Sequence, residues 1–153
     1  MSSIPGLFLI PFPALAMVVA LLFVPRYIRA RAMMTLANRW NLSYQGSKLP
    51  GSFPLDRRRF PIPLNSFHKV FHVISGTCRG KQVLILEVLA GSGRSAYDTT
   101  ILAVRADQNP FGPLDKPWKV IESNGWYALI RVGFWRMYWS ISISQIETFL
   151  GRL

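Results

Sequence analysis

The sequence predicts an α+β protein with one N-terminal transmembrane helix, a juxtamembrane amphipathic helix, and about five antiparallel strands followed by a C-terminal helix. Three observations predict it. An apolar run without charges opens the chain, β-rich runs separated by Gly-containing turns fill its middle, and an apolar stripe of helical period closes it. We therefore expect a transmembrane anchor over 1–28, a juxtamembrane helix over 29–40 and a cytoplasmic α+β domain over 41–153.

The anchor is predicted from the stretch Leu7 to Val24, which consists mainly of Leu, Ile, Val, Phe and Ala. A helix of about 20 apolar residues spans a bilayer core of about 30 Å. Basic residues follow this stretch and none precede it, which disfavours a cleaved signal peptide and places the N-terminus outside and the domain in the cytoplasm. Pro11 and Pro13 indicate either a kinked span or an irregular segment packed on another protein.

The charge is strongly positive, with 18 Lys and Arg against 7 Asp and Glu and a net charge of +11. Many of these basic residues follow the anchor directly, where each contributes about 1 kcal/mol beside an anionic leaflet. Nucleic acid is the less favoured partner, because the charge forms no separate stripe. We predict lipid headgroup contacts at Arg26, Tyr27, Arg29, Arg31, Arg39, Arg57, Arg58 and Arg59, with a solvated loop as the alternative for the last three.

The juxtamembrane helix is amphipathic, because Met33, Leu36 and Ala37 fall on one face at helical spacing and Arg39 falls on the other. Such a helix either lies against lipid headgroups or packs its apolar face on the following domain. We keep both interpretations, and we expect Pro25 to bend the chain ahead of this helix.

The domain is predicted from β-branched and aromatic runs separated by turn residues. A short possible strand at 41–46 and a Pro-rich loop at 49–63 precede these runs. Asn124-Gly125 is a strong hairpin signal, and Ser142 with Gln145 resembles a capping box before the last helix. The predicted strands are Val70–Cys78, Gln82–Leu89, Ala96–Arg105, Trp118–Glu122 and Trp126–Val132.

The sequence carries no catalytic signature. The single cysteine, Cys78, excludes a disulfide framework and is typical of a small buried hydrophobic residue. His68 and His72 would lie about 13 Å apart on a strand, too far to share a metal. The Gly-rich loop at 91–95 precedes a strand and is best explained as a hairpin connection. Glu87 and Asp98 are candidates to face each other across that hairpin, but nothing fixes their separation. We expect no metal, no cofactor and no enzymatic activity.

The segment from Phe134 to Trp139 combines aromatic residues with Met137 and Arg136. In an extended chain one of its faces can serve the core, and the other is then free to contact a partner or the bilayer interface. We predict partner contacts at Pro11, Pro13, Trp40, Phe134, Trp135, Arg136, Tyr138 and Trp139.

The middle of the chain resembles a family of uncharacterised bacterial single-span membrane-anchored proteins with a small β-rich cytoplasmic domain. The matching residues are Val73-Ile74-Ser75-Gly76, Gly80, Val83, Gly91-Ser92-Gly93, Thr99-Thr100 through Val104, Glu122 with Gly125, and Ile146, Phe149 and Leu150. The chain departs from that pattern at Leu86-Glu87-Val88, where the resemblance leads us to expect an Asp-aromatic pair. The resemblance implies the architecture and no activity.

These features favour a non-catalytic accessory subunit of a larger bacterial inner-membrane complex, for example a photosynthetic or respiratory assembly. Its expected partners are integral membrane subunits and anionic lipid headgroups. The alternatives are a free-standing membrane-anchored module that binds lipid or ligand, and an enzyme with an unrecognised site.

Overall fold

The computed structural model describes residues 11–49, 54–61, 67, 69–91, 97–133 and 138–153. These residues form two helices and seven strands, and the chain divides between Ala32 and Met33 into two compact units. The elements are α1 (Pro11–Arg39), β1 (Ser43–Gly46), β2 (Lys69–Cys78), β3 (Lys81–Ala90), β4 (Tyr97–Arg105), β5 (Trp118–Ser123), β6 (Trp126–Val132), β7 (Tyr138–Trp139) and α2 (Ile143–Arg152).

Helix α1 starts at Pro11 and continues through Pro25 to Arg39, so the helical structure crosses the boundary that we expected at residue 28. Residues 7–10 of the predicted span lie outside the described residues. Within the part of the chain that the structure describes, none of the helices has the combination of length and apolar character needed to cross a bilayer.

The strands form an antiparallel sheet in the order β1-β2-β3-β4-β6-β5, and the short β7 also pairs with β6. The α+β class, the antiparallel sheet and the C-terminal helix are therefore confirmed, with more strands than the predicted five. The run from β2 to β4 is the expected meander. The β5–β6 hairpin departs from the order of the strands in the chain, because β6 pairs with β4 and β5 forms the edge of the sheet.

Two tight turns fix the register of the hairpins. Arg79 and Gly80 have φ of 50° and 78° between β2 and β3, and Asn124 and Gly125 have φ of 53° and 74° between β5 and β6. Positive φ at both central residues characterises the turn whose twist matches that of a hairpin. The prediction at Asn124-Gly125 is confirmed.

Both faces of the sheet are apolar, and each supports its own core cluster. The helix-covered face packs on the last turns of α1 and on α2, and it includes Met33, Leu36, Ala37, Ile74, Ile85, Leu102, Leu129, Ile146 and Leu150. The loop-covered face packs on the segment before β2, and it includes Leu55, Phe60, Phe67, Val73, Leu86, Ile101 and Ile130. The apolar stripe of the predicted juxtamembrane helix is thus used for packing on the domain, which was one of its two interpretations.

Helix α2 starts at a capping box, as predicted. The Ser142 hydroxyl accepts a hydrogen bond from the Gln145 backbone N–H, and the Gln145 side chain accepts one from the Ser142 backbone N–H. This exchange satisfies two backbone donors at the start of the helix and positions Ile146 and Leu150 over the sheet.

Candidate functional site

The first half of α1 carries an exposed apolar surface. The side chains of Leu15, Met17, Val18, Phe23, Val24, Tyr27 and Ile28 are between 49% and 67% exposed. At about 100° per residue these positions surround the helix and do not form one stripe. A helix that is apolar all round is typical of a segment buried in a protein or a membrane.

Basic residues accompany the C-terminal end of this surface. Arg26, Tyr27 and Arg31 are exposed and Arg29 is half-buried, so these four predicted headgroup residues belong to one segment of the helix. Arg39 is further along α1, where it forms an ion pair with Glu147 of α2. That contact lies on the helix-covered face.

The predicted arginine loop is a short 3₁₀ turn, Arg57–Arg59. Its neighbours Leu55 and Phe60 are buried in the loop-covered face, so this part of the predicted loop covers the sheet. Arg58 and Arg59 are exposed, and Arg59 Nη1 donates to the carbonyl oxygen of Glu122 over 3.5 Å. Arg39 and this turn lie on opposite faces of the sheet, so these predicted headgroup residues do not share one patch.

The predicted partner-contact residues are only partly described. Pro11 and Pro13 lie in the first turn of α1, where a proline does not cost a helical hydrogen bond. Trp40 is half-buried against the helix-covered cluster. Tyr138 and Trp139 form β7, opposite Val132 and Arg131 of β6, while Phe134, Trp135 and Arg136 lie outside the described residues.

A buried polar row crosses the helix-covered face from β1 to β4. A hydrogen bond of 2.7 Å joins Tyr44 Oη to His72 Nδ1, and His72 Nε2 lies 3.8 Å from Glu87 Oε2. Thr100 Oγ1 donates to Glu87 Oε1 over 3.3 Å and accepts from the backbone N–H of Ile141 over 3.0 Å. Four side chains from four strands and one backbone amide are thus connected.

This polar row corrects one sequence interpretation. Glu87 is paired with Thr100 and not with Asp98, which lies opposite Leu89. His72 is hydrogen-bonded within the row, whereas His68 lies outside the described residues. The clue in the sequence was Glu87 itself, a carboxylate in the middle of an otherwise apolar central strand.

A β-bulge explains why simple strand alternation does not predict the face of the sheet on which His72 lies. The register between β2 and β3 shifts between Val70 and His72. An extra residue in one strand changes which face the following side chains point to. Val70 and Val73 therefore both pack on the loop-covered face, while His72 turns to the other face and meets Glu87.

A histidine beside a carboxylate can serve acid–base chemistry, but this pair is enclosed. The His72 and Glu87 side chains are only 13% and 8% exposed. Burial, together with the nearby Glu87 charge, raises the pKa of the Tyr44 hydroxyl. The arrangement therefore favours a neutral Tyr44 that holds the imidazole against the carboxylate, which is a role in positioning β1 on the sheet.

The cysteine is buried as predicted. Burial raises the pKa of the Cys78 thiol, and the charge of Arg79 opposes this shift. The Sγ atom lies 3.9 Å from the carbonyl oxygen of Leu150 in α2. A buried thiol with a raised pKa is a poor nucleophile. Among the described residues, no group of three or more His, Cys, Asp and Glu is arranged to hold a metal.

Comparison of the chain with protein-family models, with curated proteins and with solved structures finds no match. The functional inference for this protein therefore rests on its own residues, of which the exposed apolar surface of α1 is the most unusual set.

Proposed function

We propose that this protein is a non-catalytic accessory subunit of a bacterial inner-membrane complex. In this proposal the first half of α1, with the apolar residues that precede it in the sequence, packs among the helices of integral subunits. The sheet domain then lies on the cytoplasmic side and stabilises the cytoplasmic ends of those helices.

One observation carries the proposal, namely the exposure of apolar side chains all around α1 between Leu15 and Ile28. Exposing such a surface to water is unfavourable by about 25 cal/mol per Å². Contiguous exposed apolar surfaces mark contacts with proteins or membranes. The apolar sequence continues upstream as far as Leu7, which lengthens the segment available for burial.

The charge pattern supports the proposed orientation. Arg26, Arg29 and Arg31 follow the apolar segment, and such residues remain on the cytoplasmic side of bacterial spans. Tyr27 lies among them, at the level where amphipathic rings favour the interface. The same residues are the proposed contacts for anionic headgroups.

The polar row supports the non-catalytic part of the proposal. Its hydrogen-bonding groups are used within the sheet and are nearly closed to solvent. A general acid or base needs to reach a proton on the substrate within hydrogen-bonding distance.

Purification of a C-terminally tagged protein from native membranes in mild detergent tests the proposal. We expect integral membrane proteins in constant stoichiometry with the tagged chain. Val18→Arg places a charge in the exposed apolar surface, at a cost of about 3 kcal/mol in a bilayer, and should abolish both membrane retention and partner recovery.

The matched control is Met34→Arg, which makes the same change at an exposed apolar residue further along the same helix, after the chain divides. It should leave partner recovery unchanged. Recovery of the wild-type chain alone, or equal recovery of partners with both variants, would contradict the proposal.

A further inference from the structure

A cleft opens on the loop-covered face of the sheet, at the end where the hairpin turns lie. Four strands contribute one row of side chains to it. Thr77 pairs with Gln82, Arg105 pairs with Trp126, and Arg105 Nη1 donates to Gln82 Oε1 over 3.3 Å to join the two pairs. The cleft has a volume of about 380 Å³, within the range of small-molecule sites.

The apolar part of the cleft comes from Pro54, Leu84 and the Trp126 ring. The next row into the sheet pairs Ser75 with Leu84 and Leu84 with Ala103. Ser75, a small residue of this row, lines the cleft together with the larger Trp126. An indole ring at such an edge offers a flat surface on which an apolar or planar body can stack.

The polar part of the cleft consists of hydrogen-bond donors. Arg105 provides a guanidinium group, and Thr77 provides a hydroxyl. Ser75 Oγ accepts from Gln45 Nε2 over 2.9 Å, so its own hydroxyl proton is available in another direction. Gln82 accepts from Arg105 through Oε1, which leaves its Nε2 group as a donor. None of the described residues that line the cleft is acidic.

A neighbouring cleft does not combine an aromatic surface with hydrogen-bond donors in this way. It has a volume of about 570 Å³ and is lined by Lys81 and Arg105 together with Asp107 and the hairpin turns. The Asp107 carboxylate opposes an anion, and the lining residues that the structure describes include no aromatic ring. The first cleft is thus the better candidate for binding an anion with an apolar body.

We propose that the cleft lined by Thr77, Gln82, Arg105 and Trp126 binds an amphipathic organic anion. Its carboxylate or phosphate oxygens pair with the Arg105 guanidinium, whose fork matches such groups, and its apolar body stacks on Trp126. A lipid headgroup and a soluble metabolite share this chemistry. The inference does not depend on the proposed subunit role.

Isothermal titration calorimetry with 2-naphthyl phosphate tests the inference on the full-length chain in non-ionic detergent micelles. We expect one saturable site. The probe's two halves, 2-naphthol and inorganic phosphate, should each bind at least about tenfold more weakly, because each makes only one of the two contacts. Arg105→Gln should weaken 2-naphthyl phosphate by about tenfold or more, since it removes a charge-assisted hydrogen bond.

The matched control is Arg79→Gln, which removes the same charge from the adjacent hairpin turn. Arg79 is exposed and does not line the cleft, so affinity should change by less than about twofold. Absence of saturable binding by the wild-type chain, or equal binding by wild type and Arg105→Gln, would overturn the inference.

The source of the anion is resolved by transfer to lipid nanodiscs. If phosphatidic acid in the disc displaces the probe and phosphatidylcholine does not, the headgroup of an anionic lipid is the ligand. If neither lipid displaces it, the ligand is a soluble anion. In both outcomes the anionic group of the ligand pairs with the Arg105 guanidinium.

Discussion

The Thr100 hydroxyl makes two hydrogen bonds inside the polar row, so its removal should lower the free energy of unfolding. Thr100→Val keeps the shape of the side chain and makes it more apolar. It also removes a donor to the buried Glu87 carboxylate and the acceptor of the Ile141 N–H. A hydrogen bond to a charged group contributes about 1.5–3 kcal/mol, and an unmet buried donor costs about 1–3 kcal/mol.

After subtraction of the gain from extra apolar burial, about 1 kcal/mol, Thr100→Val should destabilise the protein by about 1.5–5 kcal/mol. Thr100→Ser is the matched variant, because it keeps the hydroxyl and loses one methyl group, at a cost of about 1 kcal/mol. Urea unfolding in mild detergent, followed by tryptophan fluorescence, measures both. If Thr100→Val is as stable as wild type, or more stable, the polar row does not contribute to stability as described.

Three further predictions concern the turns, the cap and the polar row. Gly125→Ala should lower the free energy of unfolding by about 1–2 kcal/mol because the φ of Gly125 is +74°. Gly151→Ala, inside α2 with open space around it, should be neutral or stabilising by up to about 1 kcal/mol. Thermal unfolding compares the two variants. Ser142→Ala should cost about 1 kcal/mol through loss of the N-cap, and urea unfolding at neutral pH should detect it; an unchanged midpoint would contradict the capping role. The raised pKa of the Tyr44 hydroxyl means that folding favours its neutral form. The stabilisation that this neutral form gives to the folded state is therefore complete below the ordinary tyrosine pKa of 10.0 and is lost as pH rises through the higher folded-state pKa. Tyr44→Phe should therefore show a shallower loss of stability above about pH 10 than wild type in pH-dependent unfolding, and identical profiles would show that Tyr44 is not coupled to folding.

Local sequence signals predicted the strands and turns well. Asn124-Gly125 specifies its turn because both residues accept positive φ, and the capping box at Ser142 depends on residues three apart in the chain. The apolar character of both faces of β3 matches its place inside the sheet, since Ile85 and Leu86 enter different core clusters. These features depend on near neighbours in sequence.

Long-range features were not predictable in the same way. The order of β5 and β6 depends on which strand of a finished hairpin pairs with β4, and periodicity carries no information on that choice. The burial of Leu55 and Phe60 in a Pro-rich segment likewise depends on the sheet that they cover. These two residues of the predicted Pro-rich loop are part of the core.

The candidate functional residues also divide into those that local sequence predicts and those that depend on long-range strand pairing. The exposed apolar and basic residues of α1 are visible in the sequence as composition. The polar row required the bulge that turns His72 towards Glu87, and the cleft required the register that brings Gln82 and Arg105 onto one row. Both depend on pairing between strands, which single-sequence patterns do not specify.

Photo-crosslinking from α1 is the most direct test of the central claim that its exposed apolar surface packs on an integral membrane subunit. A photoreactive phenylalanine analogue at Phe23 should give a discrete adduct with an integral membrane protein in native membranes, whereas the same analogue at Met34 should not. Both positions are exposed in the isolated chain. Absence of any protein adduct from Phe23, with the chain shown to be intact, would contradict the claim.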